Sequence, residues 1–134
     1  MKKFEPWTIV LGELDEKMGV KVLEQSATKV VATMPIDGNR QSLGLLHGGA
    51  MACLAEAVGS WAAVIHASTL GKVAVGVDIN ATHHASGYAG MVTATATALH
   101  LGRSMTSHEI VIEDESGRRL CTARITNAVI EKKN

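Results

Sequence analysis

Between Gln41 and Ser60 the chain carries residue types that do chemistry when held together: Gln41, the triplet His47-Gly48-Gly49, Glu56 and Ser60. From position 49 to 65 the sequence is small and apolar almost without interruption, and Glu56 is its one charge. A helix of that composition is apolar all round, the pattern of an element buried inside a domain. An ionised carboxylate withdrawn from water is costly unless it is paired, or unless its pKa rises until it is neutral. Cys53, Leu54, Ala57 and Val58 surround Glu56 in sequence. Such neighbours push a carboxylate toward the range of a general base, and perturbed carboxylates concentrate at functional sites. The competing role is structural, a buried glutamate held by an arginine.

Gly48 stands where this helix begins. Its N–H has no partner within the helix, and the positive end of the helix dipole points the same way, so both can face an oxygen that becomes negative. Glycine also lets a carbonyl approach the backbone closely. The plainer role for Gly48-Gly49 is the turn into the helix. Ser60 follows Glu56 by four residues, so the two project from one face. A hydroxyl in that position also bonds back to the carbonyl of Glu56. Nine steps of about 100° carry a helix to its opposite side, so Glu56 need not face the helix start.

Seven elements beside that helix must position these groups. Residues 11–18 form a short helix, and 20–25 with 29–34 form a hairpin of two strands. Pro35 and the Asp37-Gly38-Asn39 cluster then open a loop. The long helix spans about 48–66, on the order of 27 Å at about 1.5 Å per residue. Four strands follow, at 72–82, 90–101, 105–113 and 119–130, the last two joined by the turn Asp114-Glu115-Ser116-Gly117. In the second of these, Thr93, Thr95 and Thr97 alternate with Val92, Ala94, Ala96 and Ala98. The alanine face lets a thick helix lie close to the sheet. Runs of consecutive strands favour antiparallel pairing. One curved sheet covers only part of an all-apolar helix, and a second copy of the chain would cover the rest.

Composition narrows the function. The 134 residues fit one domain with a real core. Lys plus Arg and Asp plus Glu each number 13, a zero formal charge. Nucleic-acid and anionic-membrane proteins carry a basic excess that this chain lacks, and a neutral surface favours self-association. Cys53 and Cys121 are two isolated thiols rather than a disulfide framework, which fits a reducing cytoplasm. The first residues lack the apolar core of a signal peptide. The run 49–65 is about the shortest that spans a bilayer, and Glu56 near its centre argues against that. The six histidines and two cysteines show no zinc-site spacing, so no metal is expected.

Gln41, LLHGGA at 45–50, Glu56 and Ser60 together resemble the active-site segment of hotdog-fold acyl-CoA thioesterases. Within them, the sequence resembles the branch of Arthrobacter-type 4-hydroxybenzoyl-CoA thioesterase and the 1,4-dihydroxy-2-naphthoyl-CoA hydrolases of menaquinone synthesis. The resemblance continues through DINATHH at 78–84, LGRS at 101–104 and CTARITNAVI at 121–130. It implies an α+β hotdog fold over residues 1–134, a curved antiparallel sheet wrapped around one long buried helix. It also implies a cytoplasmic thioester hydrolase. Glu56 would act as nucleophile or as general base on water, Gly48 as donor to the carbonyl oxygen, and Gln41 would orient water or thioester. Ser60 would lie near the water or the thiol leaving group. His47 either donates to the carbonyl or supports the loop. His83, Gly102, Arg103 and Ser104 are the candidates for coenzyme A, which is part of the substrate, so no cofactor is required. The turn 101–104 suits pantetheine and phosphate through backbone N–H groups, a hydroxyl and a guanidinium, although a turn arginine is also simply solvated. The resemblance further implies sites formed between two subunits, Gln41, His47 and Gly48 from one and Glu56 and Ser60 from the other, in a dimer of dimers.

Two other functions fit the same sequence less well. A hotdog hydratase or dehydratase carries a histidine with its acid at the site, and this helix offers Glu56 without a histidine beside it. A non-catalytic acyl-CoA binder would not need the set Gln41, Gly48 and Glu56. The acyl group is not written in the sequence: two Trp, one Tyr and one Phe supply little aromatic material for a ring pocket.

Overall fold

The computed structural model describes residues 5–133; the basic start of the N-terminal stretch lies outside them. A short helix α1 (Glu13–Met18) leads into the hairpin β1 (Lys21–Gln25) and β2 (Lys29–Pro35). Gly19, at φ 77°, ends α1 in the left-handed region, where a side chain would also press on Pro35. A loop then carries the chain to the long helix α2 (Gly48–Ser68). Four strands complete it: β3 (Val73–His83), β4 (Met91–Leu101), β5 (Met105–Glu113) and β6 (Arg119–Ile130).

The six strands form one antiparallel sheet in the order β1-β2-β4-β5-β6-β3, and α2 packs against β2, β3, β4, β5 and β6. This is the hotdog arrangement. The meander β4-β5-β6 follows from the turns between consecutive strands. β3 is displaced to the far edge, where it pairs with β6 from Val73↔Ile130 to His83↔Cys121.

The core lies between the concave sheet face and one side of α2. Met51, Leu54, Val58, Trp61, Ala62 and Ile65 recur at three- and four-residue spacing and are buried. They meet Val92, Ala94 and Ala96 of β4 and Ile110 and Ile112 of β5, all fully buried. Close approach of helix and sheet depends on Gly59 as well as on those alanines. A Cβ there would overlap Ile125 Cγ2 and stand 3.2 Å from Ile110 Cδ1. The Thr/Ala alternation of β4 ends at a bulge between Ala98 and His100, so Ala98 is only half-buried.

Two expectations change. The helix is not buried all round: Cys53, Ala57 and Ser60 are half-buried and Glu56 is exposed. The reason is geometric, because a single sheet layer covers one side of a helix. The helix also runs past residue 66 to Ser68. Its end is tied by Ser68 Oγ to the Ile65 carbonyl at 2.6 Å, by Thr69 Oγ1 to that of His66 at 2.6 Å, and by the Lys72 N–H to that of Ala67 at 2.9 Å. By length and composition α2 could cross a bilayer, yet half of it is buried against the sheet, which makes it the core helix.

Candidate active site

The loop before α2 is held by its polar side chains. Asn39 Nδ2 donates to the carbonyls of Met18 and Pro35, both at 2.8 Å, and the His47 N–H donates to the Asn39 carbonyl at 2.8 Å. Arg40 donates to the carbonyls of Gly44 and Tyr88, each at 2.7 Å. These two residues fix where the helix starts, and neither has a spacing signal that the sequence could reveal. Gln41 is half-buried on the same loop, its Oε1 accepting the Leu43 N–H. Its Nε2 has no partner among the described residues.

His47 is the N-cap of α2. Its Nδ1 accepts the Gly49 N–H at 2.8 Å, which leaves the ring proton of the neutral form on Nε2. Of the two roles considered for His47, loop support has this hydrogen bond behind it. The Gly48 N–H has no acceptor among the described residues, as a first-turn amide should not. The space over Gly48 is taken by His83: a Cβ at Gly48 would lie 3.0 Å from His83 Nε2. The structure therefore brings His83 to the helix start.

Glu56 lies one face round and further along. Its Oε2 is 3.2 Å from where a Cβ on Gly76 of β3 would sit, beside a small cavity of about 110 Å³ lined also by Val77, Asp78, Ile79 and Ile125. Leu54 and Val58 point into the core instead, so this chain alone does not give Glu56 its expected apolar envelope. No ion pair reaches it among the described residues of this chain. Burial raises the Cys53 thiol above its ordinary pKa, and the charges of Asp15 and Glu56 add to this. Ser60 Oγ accepts from Asn127 Nδ2 at 3.2 Å rather than bonding back to the helix.

Glu56 and Ser60 open onto a groove of about 410 Å³ between α1 and α2 that also touches Leu14, Asp15 and Trp61. A second hollow of about 380 Å³ continues it toward Asn39, Arg40 and His47, and the two share Leu14 and Cys53. Trp61 is core, with an edge on the groove. Gly48 and Glu56 are eight residues apart. That is only about 80° around the helix but about 12 Å along it. Axial distance, not opposite faces, keeps them apart in one chain.

The coenzyme A candidates divide. His83 pairs with Cys121 at one end of β6, whereas Met105, next to the Gly102–Ser104 turn, pairs with Ala128 at the other. Seven residues of strand separate those ends, about 23 Å. Arg103 and Ser104 are exposed. Gly102 offers less than expected, because its N–H is already bonded to the Met105 carbonyl at 2.9 Å. Its own carbonyl meets His66 Nε2 at 2.7 Å. One chain therefore does not assemble His83 with Gly102, Arg103 and Ser104.

A long helix on a concave six-stranded sheet, with an amide donor at its start and a carboxylate on its open face, defines the class. The chain belongs to the thioesterase superfamily, which residues 43–121 match, and it is a thioester hydrolase. It is 43% identical over 121 residues to a proofreading thioesterase, EntH, of Cronobacter turicensis, covering 90% of this chain and 88% of that protein. It is likewise 43% identical to a putative esterase of Deinococcus radiodurans, over 89% of this chain and 75% of that one. Among solved structures it resembles a thioesterase from Haemophilus influenzae, at a TM-score of 0.82 and 37% identity, with 88% of this chain and 82% of that chain covered.

Proposed function

We propose that the protein hydrolyses an aromatic or similar acyl-CoA to the free acid and coenzyme A, in the cytoplasm, on the pattern of the Arthrobacter-type branch. The acyl group would be of the hydroxybenzoyl or 1,4-dihydroxy-2-naphthoyl kind. In this reading the thioester carbonyl oxygen accepts the Gly48 N–H, and Gln41 orients the thioester or the water. Glu56 either takes a proton from the attacking water or attacks the carbonyl itself, giving an anhydride that water then opens. In both routes the C–S bond breaks as the oxyanion collapses, and the thiolate of coenzyme A leaves and is protonated.

The observation that carries this reading is the placement of both groups against β3, one of the two edge strands of the sheet. Glu56 lies at Gly76 and Gly48 lies at His83. Two β3 strands paired antiparallel about a two-fold axis between Ile79 and Asn80 would set Gly76 opposite the partner's His83. Glu56 would then face the Gly48 amide of the other subunit, and the pairing would cover Val75 and Val77, 46% and 65% exposed. A dimer, and a dimer of dimers over the open face of α2, follows from this reading. It would also bring together His83 and the 102–104 turn only between subunits.

A proofreading role is the second reading, supported by the relatives of that name. There the same site clears an acyl group from a thiol that should not carry it, coenzyme A or a carrier protein. Release of thiol, followed with a trapping dye across aryl, short-chain and long-chain acyl-CoAs and an aryl carrier protein, distinguishes the two by kcat/KM. The test of the chemistry itself is Glu56→Gln. With the carboxylate on the open face, melting temperature should hold while kcat falls by about 10²-fold or more. Full activity in the folded variant would end this mechanism.

A further inference from the structure

Asn127 is a fully buried amide on β6. Its Nδ2 donates to Ser60 Oγ at 3.2 Å, and its Oδ1 has no partner among the described residues. A half-satisfied buried amide is a poor choice for stability, since a leucine of similar size would leave no polar atom unpaired there. Among the described residues, the one hydrogen bond its side chain makes is to Ser60.

A serine hydroxyl has one proton to donate and two lone pairs. Asn127 occupies a lone pair and so turns the proton elsewhere. Inside a helix the usual acceptor is a carbonyl one turn back, here that of Glu56. Ser68 on the same helix makes such a bond, to Ile65 at 2.6 Å, and Ser60 does not. The Ser60 proton is left to the groove that it shares with Glu56. The sheet register ties the cluster together. Asn127 pairs with Gly76 on β3, the residue against which the Glu56 carboxylate rests.

We propose that Asn127 is a positioning residue for hydrolysis: by donating to Ser60 Oγ it fixes Ser60 as the hydrogen-bond donor to the water that attacks the thioester. This rests on Glu56 being the catalytic carboxylate. The water keeps one lone pair for the carbonyl carbon while Ser60 holds the other. Without Asn127 the hydroxyl rotates to the Glu56 carbonyl and the water loses its orientation.

The test compares Asn127→Leu, Ser60→Ala and the double variant, with kcat expressed per folded protein. Each single change should lower kcat by about 10- to 100-fold, the scale of a misplaced reactant, with KM within about twofold. The double variant should be no slower than Ser60→Ala alone, because Asn127 acts through Ser60. Asn127→Asp gives a second, independent reading that survives a misfolded leucine variant. Burial favours its neutral acid, whose O–H donates to Ser60 as the amide does; its carboxylate only accepts. Its kcat should therefore approach the parent's at low pH and fall as pH rises, with that fall absent once Ser60 is alanine. Parental kcat in Asn127→Leu or in Ser60→Ala, losses that multiply in the double variant, or a parental pH profile in Asn127→Asp each overturn the proposal. Failure of the underlying mechanism looks different, since Glu56→Gln would then remain active.

Discussion

His108 shows how one side chain couples pH to the fold. It is fully buried on β5, its Nε2 donates to the Ala27 carbonyl at 2.9 Å, and its Nδ1 has no partner among the described residues. Burial lowers its pKa below the ordinary value, the bond to Ala27 opposes this, and the charge of His66 lowers it a little further. A base whose folded pKa is depressed binds fewer protons folded than unfolded. Its contribution is therefore intact above the unfolded value of about 6.5 and is lost as pH falls from there toward the folded pKa. Melting temperature should drop between about pH 7 and pH 5, by less in His108→Gln, which keeps a donor for Ala27 and cannot titrate. An equal drop in the variant would assign the acid sensitivity to other groups. Glu56 differs in kind, because its carboxylate stands on the open face and its environment depends on what covers that face.

At the scale of elements, Gly59 sets the spacing between α2 and the sheet. Alanine there would favour the helix by about 1 kcal/mol. Its methyl would overlap Ile125 Cγ2, and overpacking of this kind costs about 1–3 kcal/mol. Gly59→Ala should therefore lower the melting temperature, and a rise would mean that the sheet yields to the helix. An element is legible in the sequence to the extent that its causes are local. β5 and β6 end where the alternation and the turn Asp114–Gly117 end them, so their bounds are legible to the residue. The last turn of α2 depends on Ser68 and Thr69 capping bonds that hydropathy does not register. The place of β3 beside β6 is a non-local pairing and leaves no periodic trace. The same division holds at the site. Gln41, Gly48 and Glu56 stand out by type and spacing, whereas Asn39 and Asn127 are single polar residues whose importance lies only in what they touch. Composition also overstated the burial of Glu56, because it averages over helix faces that the fold treats unequally.

At the scale of the whole molecule, two of the surfaces that a single copy leaves open lie beside the site. β3 presents an unpaired sheet edge with Val75 and Val77 exposed beside it, and α2 presents the face that bears Cys53, Glu56, Ala57 and Ser60. Open apolar edges invite pairing, and a two-fold operator satisfies both copies with one contact. Light scattering at micromolar concentration should accordingly show no folded monomer. The sharper test asks whether each site needs two chains. Gln41→Ala and Glu56→Gln are each made in an otherwise intact chain, and the two inactive proteins are mixed, unfolded and refolded together. In a shared site, a mixed dimer has one position that takes Gln41 from the Glu56→Gln chain and Glu56 from the Gln41→Ala chain. That position is intact, and its twin carries both changes. Random pairing makes half of the dimers mixed, so about a quarter of all sites should recover and activity should return to about that fraction of the parent. A site built within one chain recovers nothing, since every site then keeps one of the two changes. Recovery near a quarter from two inactive parents has no other source than residues meeting across the two-fold axis.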